Sequence, residues 1–242
     1  MLNAQRDQRG VTLVELMIAS AISLVALAAI LTGYSATSHH STVYLHRAHL
    51  HQQLHTLMHA MSRDIRRAGY WHFDPDARAA TDNPFQGGGN GLHIDAYPGQ
   101  APDSCILLAY DLDRDGRVGI SSCRAGGCGP QADGDNVEQL GFRLRDGRVQ
   151  SRYGGRTLEC DSGYWQAVTD PGIEITRLTF AQHAICSNLD DVQAGCTPDA
   201  TRLVRRLIEI RLSGHQRGRP GAPVSLSAWV RVRNDRLLRG GI

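Results

Sequence analysis

Apolar residues fall along this chain in two regimes. Between Val11 and Leu31 they form one nearly unbroken block, VTLVELMIASAISLVALAAIL, in which only Thr12, Glu15, Ser20 and Ser23 are polar. A helix rises about 1.5 Å per residue, so this block spans roughly 32 Å, enough to cross a hydrocarbon core of about 30 Å. Beyond it the apolar positions thin to a stripe. Leu50, Leu54, Leu57, Met58, Met61 and Ile65 keep helical spacing, the mark of an amphipathic helix with one buried face. No Pro interrupts Val11 to Arg67, Gly33 is the one weak position, and Gly69 is a stop signal. The pattern predicts one N-terminal helix over 11–68, membrane-spanning over 11–31 and amphipathic after that, its stripe placed to pack on a following sheet.

From Gly69 onward the period changes. Phe73 to Gln100 is rich in turn residues and holds the run Gln86-Gly87-Gly88-Gly89-Asn90-Gly91. No Lys-Ser/Thr follows that run, so it is read as a loop rather than a phosphate cradle. Strands are expected at Leu92–Tyr97, Cys105–Tyr110, Val137–Arg145, Arg148–Tyr153 and Ile173–Ala181, with Asp146-Gly147 as a two-residue hairpin turn. The clearest alternation is last: Ile208, Ile210 and Leu212, then Val224, Leu226, Ala228, Val230 and Val232, with polar or bulky exposed residues between them. A long helix followed only by strands implies an α+β fold, the helix lying across an antiparallel sheet with one buried face. The domains expected are a leader, 1–10, an N-terminal helix, 11–68, and a β-rich globular domain, 69–242.

Charge adds exclusions more than assignments. The chain has 242 residues, a net charge of +2, and no Lys, so every one of its 26 cationic side chains is Arg. Near-neutrality argues against nucleic acid as a direct ligand; Arg202, Arg205 and Arg206 are read as solvated or ion-paired. No nucleophile elbow, Ser/His/Asp set or metalloprotease signature is present, so an enzyme is not expected. His51, His55 and His59 stand four apart on a helix face away from the Leu/Met stripe. No Cys, Asp or Glu at helical spacing completes a metal site with them, and a solvated or inter-subunit face is the plainer reading.

The leader sets the membrane orientation. Arg6 and Arg9 precede the apolar block, which places the leader in the cytoplasm and the bulk of the chain outside. On that side lie Cys105, Cys123, Cys128, Cys160, Cys186 and Cys196, an even count that favours disulfides. Three pairs allow 15 connectivities; Cys186–Cys196 and Cys123–Cys128 are locally plausible, which leaves Cys105–Cys160. In Tyr110-Asp111-Leu112-Asp113-Arg114-Asp115-Gly116, three Asp alternate before a Gly, as at the start of an EF-hand loop. Ser122 stands where the bidentate Glu of such a loop belongs; Asp133 and Asp135 are candidates to complete the shell. Asp111, Asp113 and Asp115 are therefore candidate ligands of a structural Ca2+. No other cofactor is expected.

Cleavage at Arg9-Gly10 would remove the charged leader and keep the apolar helix, whereas a secretory signal is cut after its apolar region. Glu15 then lies five residues into the mature chain at membrane depth, where a carboxylate costs several kcal/mol unless paired. Its simplest partner is a free amino terminus such as Val11 of a neighbouring subunit; the alternative is a lone anchor whose Glu15 snorkels to the interface.

Arg9-Gly10 followed by Val11-Thr12-Leu13-Val14-Glu15-Leu16-Met17-Ile18-Ala19 resembles the prepilin-peptidase site and assembly helix of type IV pilins. The resemblance implies cleavage after Gly10, N-methylation of Val11 and pairing of Glu15 with a neighbouring terminus in a fibre. Those helices commonly begin with Phe; Val11 in that place points to a minor subunit. The Cys105-led strand into Tyr110-Asp111-Leu112-Asp113, the segment Val137-Glu138-Gln139-Leu140-Gly141-Phe142 and the strand ending Val230-Arg231-Val232-Arg233-Asn234 resemble the PilW-type minor pilins. That resemblance implies an inner-membrane subunit with a periplasmic domain that passes into the pilus. Its implied partners are prepilin peptidase, an inner-membrane assembly platform, other minor pilins, the major pilin and a tip adhesin. The implied roles are initiating pilus assembly and supporting twitching motility, adhesion and DNA uptake. A minor pseudopilin of a type II secretion system shares the same N-terminal motif and α+β domain.

Overall fold

A computed structural model of the chain describes residues 10–72, 83–87, 89–114, 116, 118–119, 137–155, 157–191, 193–218 and 223–240. Asp115, Cys123, Cys128, Asp133 and Asp135, singled out above, lie outside the described residues, as does the leader before Gly10. The chain divides into two compact units, residues 1–48 and 49–242. One helix, α1 (Leu13–Arg67), contributes to both.

In the first unit the helix is apolar and solvent-facing, with Leu13 74%, Val14 64% and Leu24 66% exposed. Its stretch Leu13–Ser35 is long and apolar enough to cross a membrane, with mean hydropathy 2.4 and none of it buried within protein. Several of its hydroxyls bond within the helix: Ser20 donates to Met17 O, Thr32 to Ala29 O and Thr37 to Gly33 O, each at 2.9 Å. Back-bonding of this kind lets a polar side chain sit in hydrocarbon without an orphaned O–H.

In the second unit the helix becomes amphipathic and the stripe is the core. Leu50, Leu54, Leu57, Met58, Met61 and Ile65 are all buried, in one cluster with Ile106, Phe142, Val149, Phe180, Ile208 and Ile210 from the strands. Each such side chain contributes about 1.5–3 kcal/mol by leaving water. The helix ends where Gly69 takes φ +73° and donates its N–H to Ala109 O at 2.8 Å, a left-handed residue just past the last turn.

The strands are β1 (His93–Asp95), β2 (Cys105–Ala109), β3 (Gln139–Arg145), β4 (Arg148–Gly154), β5 (Tyr164–Ala167), β6 (Ile173–Asn188), β7 (Arg202–Gln216), β8 (Val224–Arg231) and β9 (Arg236–Leu238). They form two antiparallel sheets where the sequence pattern led us to expect one. The first has the order β1-β2-β3-β4-β5; the second has β6-β7-β8, with β9 also on β7. The physical reason is that alternation reports a buried face without saying what buries it; residues of both sheets meet in the cluster built on the α1 stripe. Two further departures concern length. β6 runs on to Asn188 rather than ending at Ala181, its distal half held by the ladder to β7 rather than by burial. β5 and β9 are too short to show a period. The Asp146-Gly147 turn is as expected, with φ +52° and +70° joining β3 to β4, the two left-handed residues of a type I′ hairpin.

Two buried arginines organise the first sheet. Arg152 is 1% exposed and donates to Gln139 O and, at 2.7 Å, to Thr157 O. The Arg143 guanidinium lies over the rings of Tyr97 and Trp165, 4.6 and 4.2 Å from their centroids, and donates to Gln150 Oε1 and Cys160 O. Burial, reinforced by neighbouring Arg145, pulls the Arg143 pKa down to about 10, so it stays charged at neutral pH. Backbone carbonyls, with one Gln side chain, take the place of carboxylate partners for both. The Cys105–Cys160 disulfide ties β2 to the same loop, and Cys186–Cys196 closes the β6–β7 connection.

Candidate functional site

At the helix N-terminus the residues around the expected cleavage point are open. Gly10 is exposed, nothing lies within 4 Å of where a Cβ would stand on it, and Val11 is 73% exposed. Accessible backbone with no side chain at that position is what a peptidase needs at its cleavage point. Thr12 and Glu15 cap the helix reciprocally. Glu15 N–H donates to Thr12 Oγ1 at 3.2 Å, while Thr12 N–H and Oγ1–H reach Glu15 Oε2, each at 3.3 Å. This is a capping box, T-x-x-E, which satisfies two helix-end donors and sets the carboxylate at the positive end of the helix dipole. The sequence reading missed it, although Thr12-Leu13-Val14-Glu15 carries the pattern in full. Glu15 thus has a partner within its own subunit, and its carboxylate oxygens keep further lone pairs for an external cation.

Asp111 and Asp113 converge, and among the described residues the carboxylate brought to them is Glu138, just before β3; Asp115 lies outside the described residues. One oxygen from each of Asp111, Asp113 and Glu138 lies within 4.8 Å of the others. Asp111, 2% exposed, accepts the N–H groups of His72, Arg114 and Gly116 at 2.9, 2.6 and 3.1 Å. Glu138, 1% exposed, accepts those of Leu112 and Gly119 at 2.9 and 3.0 Å. The two carboxylates therefore fasten the loop by themselves, and converging hard oxygens are also a donor set suited to Ca2+. Nothing in the 111–122 spacing pointed to Glu138, which is far along the chain.

Burial pushes the Glu138 carboxyl above its usual range; the N–H bonds from Gly119 and Leu112 oppose this, and the charges of Asp113 and Asp111 add to it. The native state therefore holds the Glu138 proton to a higher pH than the unfolded chain does. Its contribution to stability falls as pH rises from the ordinary glutamate pKa through the raised one. Glu138→Gln is expected to flatten that slope, measured as denaturation midpoints across pH 4 to 7.

Comparison with known families places this architecture. Residues 5–31 match the prokaryotic N-terminal methylation motif, and residues 43–232 match prepilin peptidase-dependent protein B. The second match takes in most of the chain. The chain belongs to the prepilin peptidase-dependent protein B family. It is a type IV pilin-like protein, with the α+β architecture of that group and a prepilin-type N-terminus on an apolar helix. Pilin-like families are structural and not enzymatic. No curated protein and no solved structure matches the chain. The prepilin motif and the apolar helix fit a membrane-anchored pilin.

Proposed function

We propose that the chain is a minor pilin of a type IV pilus. Prepilin peptidase cuts after Gly10, Val11 becomes the N-methylated terminus, and the subunit waits in the inner membrane with its second unit in the periplasm. Assembly then draws the apolar helix into the pilus, where Glu15 turns to the amino terminus of a neighbouring subunit. The observation that carries the reading is the prepilin-type motif directly ahead of an apolar helix with a single acid, Glu15, in a chain of the prepilin peptidase-dependent family. Its partners on this reading are other minor pilins, the major pilin, the assembly platform and an adhesin at the tip. Initiation of assembly, twitching motility, adhesion and DNA uptake are the roles it would support.

A minor pseudopilin of a type II secretion system would use the same helix chemistry. Deleting the gene and scoring surface pili and secreted enzymes separates the two. Loss of pili with secretion intact is expected; loss of secretion with pili intact selects the pseudopilin.

A structural Ca2+ at Asp111, Asp113 and Glu138 belongs to the same proposal. The two buried carboxylates carry like charge at close range, which a bound cation would offset while fixing the loop. Chelator is expected to lower the melting temperature of the full chain in detergent. The shift should be absent in Asp111→Asn. An equal melting temperature with and without chelator removes calcium from the account.

A further inference from the structure

Among the described residues the second sheet ends in an unpaired edge. β8 pairs with β7 on one side and, among the described residues, with no strand on the other. Val232 N–H donates to Arg206 O, which sets the alternation of the ladder: even-numbered residues of β8 turn their N–H and C=O to β7, and Ser225, Ser227 and Trp229 turn theirs outward. Natural edges are blunted by charged side chains, Pro or a bulge; Val224–Arg231 has no Pro, its one charge is Arg231 at the far end, and its pairing shows no register shift. Beside this edge runs a groove of about 260 Å3 between α1 and β8, its apolar floor including Met58, Leu226 and Ala228, with Trp229 54% exposed at the rim.

The groove has a sign of charge. Among the described residues no Asp or Glu lines it, while α1 supplies His55, His59 and Arg66. Arg66 also lines a second cavity, of about 350 Å3, together with Arg67, Arg114 and Arg233. Among the described residues Arg66, Arg114 and Arg233 close no ion pair, while Arg67 lies over the Tyr110 ring and feels the Asp64 charge; Arg63, Arg205, Arg211 and Arg231 each have an acidic partner. Among the described residues the one carboxylate lining that cavity, Asp111, is engaged by three backbone N–H groups.

We propose that the β8 edge and its groove dock an extended acidic segment of a partner polypeptide. The segment adds as a strand beyond β8. Its main chain bonds Ser225, Ser227 and Trp229, its apolar side chains enter the groove, and its carboxylates meet Arg66 and the arginines next to it. A second copy fits less well: residues 182–188, the distal part of β6 that pairs only with β7 among the described residues, read QHAICSN and carry no acid. The inference rests on the edge and the charge pattern and does not depend on which fibre the chain enters.

The probe is a ten-residue peptide alternating Glu and Val, added to the full chain in detergent, with binding followed by calorimetry and by amide exchange. Exchange at Ser225, Ser227 and Trp229 is expected to slow about tenfold at saturation. Ser227→Pro deletes an outward donor without removing a ladder bond, and is expected to weaken binding about tenfold. Arg66→Gln with Arg233→Gln, both at exposed positions, is expected to weaken it as much, and carries the test if the proline variant does not fold. A peptide with Lys in place of Glu is expected not to bind. No binding at millimolar peptide, equal binding of the Lys peptide, or affinity untouched by either variant overturns the proposal. Self-association of the chain that Ser227→Pro abolishes overturns it in favour of a second copy.

Discussion

Glu15→Gln is expected to leave the chain inserted in the membrane and to keep it out of the fibre. The substitution preserves the capping box, because a Gln at the third helical position still reaches back to Thr12. What it removes is the charge. If the partner of Glu15 in the assembled state is the amino terminus of a neighbour, that ammonium is left unpaired at membrane depth, a cost of about 2.5–3.5 kcal/mol, or roughly a hundredfold in the equilibrium for incorporation. Thr12→Ala gives the contrast. It breaks the capping box that the structure shows and leaves the acid, so it should cost about 1 kcal/mol of local helix stability and little incorporation. Quantifying both variants in membranes and in sheared surface fibres separates a capping role from an assembly role. Incorporation of Glu15→Gln at the unaltered level would show that the carboxylate does no more than cap.

The second large effect is expected from Arg152→Ala. Arg152 is a fully buried side chain whose guanidinium is bonded to the carbonyls of Gln139 and Thr157. Truncation leaves a cavity and two under-satisfied carbonyls, one on β3 and one in the loop after β4. The expected loss is about 3–5 kcal/mol, seen as a lower denaturant midpoint with an unchanged slope. Arg152→Met restores volume without donors, so the difference between the two variants isolates the hydrogen bonds. A loss under about 1 kcal/mol for Arg152→Ala would mean that water replaces the guanidinium freely.

What the sequence revealed divides along physical lines. Local signals were legible. An uninterrupted apolar stripe from Leu50 to Ile65, stopped at Gly69, predicted the helix and the face it buries. Asp146-Gly147 predicted its turn, and the alternation in β7 and β8 predicted which residues face inward. Through-space pairings were not legible. Glu138 meets Asp111 and Asp113 from outside the loop motif, and spacing rules for calcium loops look only along the chain. Arg206, read as solvated or ion-paired, is instead 6% exposed and donates to Asn234 O; the partners of Arg143 and Arg152 are likewise mostly backbone carbonyls, which no side-chain pattern encodes. The division into two sheets escaped for the same reason, and so did β5 and β9, four and three residues long. The capping box was different: Thr12 and Glu15 stood in plain pattern, and the membrane reading of Glu15 hid the local one.

The central claim is that this chain is processed at Gly10 and keeps its apolar helix for assembly. Intact-mass and N-terminal analysis of the chain extracted from membranes tests it directly. The account predicts a mature protein beginning at N-methylated Val11, and an uncut chain when Gly10 is replaced by a bulky residue. A membrane chain that still begins at Met1, or one cut beyond Leu31 so that the apolar helix is lost, would contradict it.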